Sequence, residues 1–514
     1  MTSSPARRAA LLAGAALLTV VPSACVRDAE PASTEAGVAW ELAEARRATL
    51  SDISYDVTLR IPARRERAIQ GTTDVRFRWS DPEGRPVVLD FLDPAERVHE
   101  VLVNGAPVQW RAENDHVVVP SRSLREDQEN LVTLSYAAGD EALNRSEDFL
   151  YTLFVPERAR FSLPVFDQPD LKARWRLTLD VPEGWVAVAN GAEVEAPDEP
   201  GAAGRYRFAA TDPLPSYLFS FVAGRFEVEE TERDGRPMRM YHRETDAGKV
   251  ARNREAVFDL HHTALAWMEE YTGIPYPFQK FDFVLIPSFQ YGGMEHPGQI
   301  LYRQDGLLLD ESATQGAVLG RASVIAHETA HMWFGDLVTM AWFDDVWTKE
   351  VFANFMAAKI VHPSFPELDH DLRFLLAHQP SAYAVDRTAG ANPIRQPLEN
   401  LREAGSLYGS IIYQKAPVVM RQLEALVGEE TFRDGLREYL RDHAYANATW
   451  PDLIAILPLD FFRVARLARL ARLTRLLRAG TVLWRVTRDL RGVLKTNGLG
   501  WLLIVTTTVV FIGG

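Results

Sequence analysis

Residues 327–357 read HETAHMWFGDLVTMAWFDDVWTKEVFANFMA, and this stretch determines what the rest of the chain has to form. His327 and His331 are four residues apart, so on a helix both imidazoles lie on one face and can meet a single metal ion. Glu328 then lies beside a metal-bound water, where it can accept a proton. Glu350 follows His331 after 18 intervening residues, and a helix, a turn and a returning helix of that length bring it back as a third ligand. Two histidines and one glutamate leave a fourth position for water, which is typical of a catalytic zinc site.

The alternative interpretation of HETAH is a helix with two surface histidines. A five-residue pattern with three fixed positions recurs by chance, so the motif alone is weak. The carboxylate that returns at Glu350 favours the zinc site over this alternative.

The same stretch resembles the gluzincin metallo-aminopeptidases, the family of alanyl and puromycin-sensitive aminopeptidases. Three further motifs stand in the order of that family. Gly292-Gly293-Met294-Glu295-His296 is similar to its Gly-x-Met-Glu-Asn, and Ile412-Tyr413-Gln414-Lys415 lies where the family has a catalytic tyrosine. The segment LPVFDQPDLKARWRLTLDVP (163–182) is similar to its FPCFDEP segment. The resemblance covers about residues 50–456 and implies a zinc metallo-aminopeptidase that hydrolyses the N-terminal residue of peptides through a zinc-activated water.

The resemblance also implies the roles of the site residues. One Zn²⁺ is held by His327, His331 and Glu350, with Glu328 as the general base and Tyr413 as hydrogen-bond donor to the oxyanion. The substrate-binding residues are Glu295, which pairs with the free α-ammonium group of the peptide, and Gly292 and Gly293, which leave room for its backbone. Without the resemblance, Tyr413 equally fits a buried core tyrosine, and the Gly-Gly-Met-Glu run equally fits a turn.

Five residues depart from the family pattern around these motifs: His296, Lys349, Val351, Leu153 and Val155. The last two lie where many members have a glutamine and a glutamate that help to bind the substrate amine. We therefore expect amine recognition to depend on Glu295 alone or on the nearby Glu157. A neutral or bulky apolar first residue is the expected substrate preference.

The composition is that of a large folded protein. The chain has 514 residues, of which 47% are hydrophobic and 25% are charged, and this excludes a wholly disordered chain, a collagen and a polytopic membrane protein. A single cysteine excludes an internal disulfide framework. The net charge of −14 argues against a general nucleic-acid binder.

The N-terminus has the pattern of an export signal. Arg7 and Arg8 precede an apolar run that ends in small residues at Cys25, so residues 1–25 are predicted to be a signal. The position of the cysteine resembles a bacterial lipoprotein signal, which implies a lipidated Cys25 and an exported protein anchored in the cell envelope. An ordinary signal peptide with an incidental cysteine is the alternative. Residues 26–47 are predicted to be a tether.

The body of the chain is predicted to be an α+β multidomain protein. Alternating runs such as 55–62, 72–79 and 173–182, separated by turn signals, predict an N-terminal β-sandwich or saddle-shaped sheet domain over 48–245. From about residue 246 to 457 the apolar period lengthens to that of helices, which predicts a mostly helical region. The resemblance to the aminopeptidases implies that this region is a thermolysin-like catalytic domain and that it is cut short.

The tail, 458–514, has a different composition. It carries a net charge of +8, against −22 for residues 1–457, and arginines recur at every third position from Arg463 to Arg478. This pattern resembles the voltage-sensing helix of voltage-gated potassium channels, followed by an apolar helix from Leu499 to Ile512. A basic amphipathic helix on an anionic membrane surface is the alternative. We interpret the tail as foreign to the body, joined near 455–459.

Three hypotheses follow for function. The first is an exported zinc aminopeptidase that acts on peptides with a free N-terminus, binds no nucleic acid and contacts the membrane through Cys25 and the tail. The second is a catalytically impaired hybrid polypeptide with no enzymatic role. The third is a membrane sensor module with an ectodomain, which the lack of a pore motif in the sequence disfavours.

Overall fold

The computed structural model describes residues 30–199 and 201–456. The predicted signal at 1–25 and the predicted tail at 458–514 lie outside the described residues, so both stay predictions. Within the described part of the chain, no helix is both long enough and apolar enough to cross a bilayer.

The strands of the described residues are β1 (Leu50–Arg60), β2 (Ile69–Trp79), β3 (Val87–Asp90), β4 (Val98–Val103), β5 (Ala106–Pro107), β6 (Arg111–Glu113), β7 (His116–Val119), β8 (Gln128–Ala138), β9 (Phe149–Tyr151), β10 (Arg174–Val181), β11 (Val186–Ala189), β12 (Glu193–Glu195), β13 (Gly204–Phe208), β14 (Phe221–Gly224), β15 (Glu227–Arg233), β16 (Arg236–His242), β17 (Phe281–Ile286), β18 (Gly293–Met294), β19 (Gln299–Arg303), β20 (Thr339–Met340) and β21 (Asn447–Ala448).

The α-helices are α1 (Trp40–Thr49), α2 (Pro94–Arg97), α3 (Ala247–Thr272), α4 (Gln304–Leu307), α5 (Gln315–His331), α6 (Val346–Ser364), α7 (His370–Asp386), α8 (Ala416–Val427), α9 (Glu429–Asp442) and α10 (Trp450–Ile456). A π-helical turn, Ile411–Lys415, leads into α8. Short 3₁₀ turns cover Ser121–Ser123, Ala159–Phe161, Ser216–Leu218, Phe343–Asp345 and Leu401–Leu407.

The N-terminal region is β-rich, as the alternating pattern predicts. Its largest sheet has the order β12-β13-β10-β1-β2-β8-β4-β5, and β1 pairs in parallel with β10. Two three-stranded sheets, β11-β14-β9 and β3-β7-β6, accompany it. Along β2, buried and more exposed residues alternate, so one face of the strand packs into the core.

The predicted tether at 26–47 is wrong over its second half. Helix α1 begins at Trp40, and its side chains Leu42, Ala43 and Arg46 are buried. These three positions are spaced so that they share one face of a helix, and burial of that face stabilises the helix against the sheet domain.

A five-stranded sheet belongs to the predicted catalytic region and begins earlier in the chain than the predicted boundary. Its order is β15-β16-β17-β19-β18, and β17 pairs in parallel with both β16 and β19. Strand β17 is buried at every position, which explains its continuous apolar sequence. Because β15 and β16 pair with this sheet, the predicted domain boundary at residue 245 is too late, and the sheets divide before Glu227. Beyond the sheet, the chain is mainly helical to residue 456.

Candidate active site

Helices α5 and α6 present the three predicted metal ligands to one point. The Nε2 atoms of His327 and His331 are 3.1 Å apart. The Oε2 atom of Glu350 lies 3.5 Å from the first nitrogen and 3.6 Å from the second. These three atoms form a nearly equilateral triangle at the C-terminal end of α5. The side chain of Thr314 caps the opposite, N-terminal end of the same helix.

This triangle fits a zinc ion. With ligand bonds near 2.0–2.1 Å, two ligands of a tetrahedral zinc are about 3.3–3.4 Å apart, and the three observed separations of 3.1, 3.5 and 3.6 Å lie around this value. The chemistry of the donors, two imidazoles and one carboxylate, is also that of a catalytic zinc site with one position left for water. The ligand set predicted from the sequence is therefore brought together by the fold.

Both imidazoles are oriented by a second hydrogen bond. His327 Nδ1 donates to Asn354 Oδ1 at 3.1 Å, and His331 Nδ1 donates to the Phe334 carbonyl at 3.0 Å. An acceptor at Nδ1 fixes the proton there and leaves the lone pair of Nε2 for the metal. Asn354 itself donates to the Tyr413 carbonyl at 3.4 Å, which connects the metal centre to the π-helical turn.

Glu328 is buried beside the ligands. Burial raises its pKa to about 8, and the carboxylates of Glu295 and Glu350 act in the same direction against the opposing effect of His327. A metal ion bound by His327, His331 and Glu350 would favour the ionised form of Glu328. The carboxylate packs against Gly293, where a Cβ atom would lie 2.5 Å from Glu328 Cδ. Gly293 thus makes room for the general base, while Gly292 faces open space apart from Val324 at 3.5 Å.

Glu295 follows the edge strand β18 and is also buried at the site. Its Oε1 atom contacts the ammonium group of Lys349, which is 3.1 Å from Glu350 Oε1. Burial by itself raises the pKa of Glu295, but the adjacent Lys349 and His331 together outweigh this and hold the pKa below its ordinary value. Burial likewise lowers the pKa of Lys349, and the two carboxylates reverse that effect and raise it well above its ordinary value.

Tyr413 lies on the π-helical turn and lines the same cavity. Its neighbours Ile411 and Ile412 are buried, whereas Tyr413 is half-buried, which favours a site residue over a core tyrosine. Single π-helical turns occur often at functional sites, because they re-aim one side chain. Tyr408 stacks on Tyr413 with ring centroids 6.3 Å apart, and its buried hydroxyl has no hydrogen-bond partner among the described residues.

The cavity that joins these groups has a volume of about 680 Å³. Its lining consists of Val155, Pro156, Tyr291, Gly292, Gly293, Met294, Glu295, Gly320, Ser323, Val324, His327, Glu328, His331, Lys349, Glu350, Asn354, Gly405, Tyr408 and Tyr413. The three predicted metal ligands, Glu328, Tyr413, Glu295, Gly292 and Gly293 are all among them. A second cleft, of about 780 Å³, is lined by arginines and glutamates near the start of α3 and contains none of them.

Asn354, Lys349 and Tyr408 contact the predicted site residues, and none of the three was assigned a role from the sequence. Asn354 is four residues after Glu350, and this helical spacing was the signal that it faces the same way. Lys349 was visible only as a departure from the family pattern, and Tyr408 gave no signal. Glu157, the predicted alternative for binding the amine, contacts Arg160 instead and is not part of the cavity lining.

The β-rich region, the helical region and a His-His-Glu group with a buried glutamate beside it are together the architecture expected of the zinc-dependent metallopeptidases. Residues 51–218 match the Peptidase M1 N-terminal domain, and residues 257–462 match the Peptidase family M1 domain. The chain belongs to peptidase family M1, a zinc-dependent family. The second match runs past the predicted junction at 455–459, and these matches give no support to a hybrid without enzymatic role.

The relatives of the chain are named as aminopeptidases. It is 32% identical over 380 residues to Probable aminopeptidase 1 of Sulfurisphaera tokodaii, covering 72% of this chain and 47% of that protein. It is 33% identical to Leucyl aminopeptidase of Saccharolobus solfataricus, with 71% and 46% covered. It is 31% identical to Aminopeptidase N of Streptomyces lividans, with 80% and 49% covered. The chain thus spans about half the length of these relatives.

Proposed function

We propose that the chain is a zinc metallo-aminopeptidase that hydrolyses the first peptide bond of peptide substrates. The observation that carries the proposal is the convergence of His327, His331 and Glu350 on one point of the cavity that Glu295 and Glu328 also line. When bound there, zinc supplies a Lewis acid that polarises the scissile carbonyl and lowers the pKa of water.

The protein groups supply the proton transfers and the orientation. Glu328 accepts a proton from the attacking water and delivers it to the departing amine, which is the work of a general base and then a general acid. Tyr413 donates a hydrogen bond to the carbonyl oxygen as negative charge develops on it. Glu295 lines the same cavity, and its carboxylate would bind the α-ammonium group of the first residue of the substrate.

Release of a fluorogenic amine from aminoacyl amides, measured together with the zinc content, tests this function. We expect about one zinc per chain and a fall in kcat of at least about 1,000-fold in Glu328→Gln, with zinc retained, because the general base is lost. The exposed Glu311 offers the matched control Glu311→Gln, which keeps the activity. Activity that survives Glu328→Gln, or a peptide cut only in its interior, would overturn the proposal.

We also propose that the protein is exported to a bacterial cell envelope and anchored by lipid on Cys25, and that its helical region is thermolysin-like. The apolar run that ends at Cys25 supports the first part, and the helix pair that carries the ligands supports the second. Labelling with a fatty-acid analogue in an expressing bacterium tests the anchor. Labelling that is lost in Cys25→Ser supports it, and equal labelling of both proteins contradicts it.

A further inference from the structure

The carboxylate expected to bind the substrate amine already has an ammonium partner within the chain. Lys349 is 3% exposed, and its Nζ atom contacts Glu295 Oε1. The aromatic ring of Tyr217 lies 5.4 Å from the same Nζ atom. The cation is therefore held against the same carboxylate that the α-ammonium group of a peptide would bind.

No other acid of the described cavity takes over this role. The lining carboxylates besides Glu295 are Glu328, which is the general base, and Glu350, which is a metal ligand. Val155 and Pro156 form an apolar wall on the side of the sheet domain. Glu157 is engaged by Arg160 outside the lining.

A substrate ammonium group that approaches Glu295 meets a second positive charge. Two cations that share one buried carboxylate repel each other, and the low dielectric of a buried site strengthens that repulsion. The binding energy of the protonated amine is reduced accordingly. An uncharged group at the same place does not meet this repulsion.

The cavity is also open to solvent along part of its wall. Gly320 and Gly405 line it and are exposed, and a Cβ atom at either would meet no other atom within 4 Å.

We propose that Lys349 is a specificity-determining residue that neutralises Glu295 from within. It makes the site accept peptides whose N-terminal group is uncharged, such as N-acyl peptides, alongside those with a free amine. This inference rests on the proposed peptidase function. The competing explanation is structural: Lys349 only holds Glu350 in place as a ligand.

Two substrates and four proteins distinguish these explanations. The substrates are the fluorogenic amides of leucine and N-acetylleucine, and the proteins are the wild type, Lys349→Met, Glu295→Gln and the double variant. We expect the ratio of kcat/KM for the free over the acetylated substrate to rise at least about tenfold in Lys349→Met, because Glu295 is then free to bind the ammonium group. Glu295→Gln should change the ratio less than about threefold in the wild type and should abolish the gain in the Lys349→Met background.

A binding measurement gives a readout that does not need hydrolysis. Calorimetry on the full chain, depleted of metal, compares leucinamide with N-acetylleucinamide. The Lys349→Met substitution should increase the preference for leucinamide by the same factor. If the wild type hydrolyses neither substrate, the proposed function fails, and calorimetry still decides the role of Lys349.

Several outcomes would overturn the inference. One is a ratio and a binding preference that do not rise in Lys349→Met. Another is a loss of the preference for the free over the acetylated substrate when Glu295→Gln alone is introduced into the wild type. A purely structural role predicts lower zinc content with no change in preference, so zinc is measured for every protein. If Lys349→Met does not fold, Lys349→Gln, which keeps hydrogen-bond donors without the charge, is measured in its place with the same expectations.

Discussion

The carboxylate of Glu328 fills the place that a side chain at Gly293 would take. A Cβ atom at this glycine would lie 2.5 Å from Glu328 Cδ, a separation that side-chain carbons do not adopt. The edge strand β18 can therefore lie directly against helix α5 only with glycine here. The Gly-Gly-Met-Glu and HETAH motifs therefore pack directly against each other, and residues of both line the same cavity.

We expect Gly293→Ala to lower kcat about 100-fold, because the added methyl group displaces the general base and a shift of about 1 Å has an effect of this order. The expected change is in kcat rather than in zinc content, since Gly293 does not contact the ligands. Steady-state kinetics together with metal analysis measures both quantities.

Gly292→Ala is the matched control for this substitution. Its Cβ atom would meet only Val324 Cγ2, at an ordinary 3.5 Å, so we expect a much smaller loss of kcat than in Gly293→Ala. Equal losses in the two variants would show that the loop as a whole, and not the fit to Glu328, responds to the methyl group.

Asn354 orients one of the two histidines of the candidate metal centre. Its Oδ1 atom accepts a hydrogen bond from His327 Nδ1 at 3.1 Å. Loss of such a partner of a metal-binding histidine weakens metal affinity about 10- to 100-fold. We expect this loss in Asn354→Leu, measured by competition with a chelator. Asn354→Asp keeps an acceptor and should retain the affinity. A Leu variant with unchanged affinity would contradict the orienting role.

The two tyrosines of the cavity should differ in their contributions. Tyr413→Phe removes the donor to the developing oxyanion, so we expect kcat to fall about 100- to 1,000-fold with little change in KM. Tyr408→Phe removes a buried hydroxyl without a hydrogen-bond partner among the described residues, so it should leave kcat nearly intact. A larger loss in Tyr408→Phe than in Tyr413→Phe would reverse the assignment.

Local patterns predicted much of this architecture. The continuous apolar run 281–286 forms the buried strand β17, and the helix that carries HETAH ends at His331. The i, i+4 spacing of His327 and His331 determines their common face in any helix, which is why the ligand pair needed no tertiary information.

Tertiary contacts explain what the sequence could not predict. Strands β15 and β16 form a hairpin like those of the sheet domain, and only the pairing of β16 with β17 shows that both belong to the other sheet. The contact of Lys349 with Glu295 joins residues 54 positions apart in the chain. The strand pairing and the Lys349–Glu295 contact both depend on how distant segments pack, so neither produces a periodic pattern in the sequence.

The segment 163–182 resembles a family motif, and the structure gives it a role in stability. Asp167 donates its backbone N–H to Asp90 Oδ2 at 2.8 Å, and the same buried carboxylate accepts two hydrogen bonds from Arg46. We expect Asp90→Asn to lower the free energy of unfolding by about 3–5 kcal/mol, because it leaves the charge of Arg46 buried and uncompensated. Urea titration measures this.

The exposed ion pair between Asp56 and Arg176, with atoms 3.1 Å apart, provides the control for that measurement. Asp56→Asn makes the same chemical change at the surface and should cost less than about 1 kcal/mol. Similar losses of unfolding free energy in the two variants would show that burial does not determine how much the Arg46–Asp90 ion pair stabilises the protein.

The buried His261 should make the protein sensitive to acid. Burial lowers the pKa of its imidazole to about 3, against the weaker opposing effect of the Val257 carbonyl, to which Nδ1 donates. Above the ordinary pKa of 6.5 the ring is neutral in both the folded and the unfolded chain, so its contribution to stability is complete. As the pH falls below that value, the unfolded chain binds a proton that the folded chain does not, and stability decreases by about 1.4 kcal/mol per pH unit.

Between about pH 6.5 and 4.5 this group alone should therefore remove about 2–3 kcal/mol from the free energy of unfolding. His261→Phe cannot take up the proton, although it loses the hydrogen bonds to Val257 and Tyr302 and is less stable at neutral pH. We expect the difference in stability between the wild type and the variant to narrow by that amount as the pH falls, as urea titrations at each pH would show. Parallel curves over this interval would mean that the imidazole is protonated in the folded chain as readily as in the unfolded one.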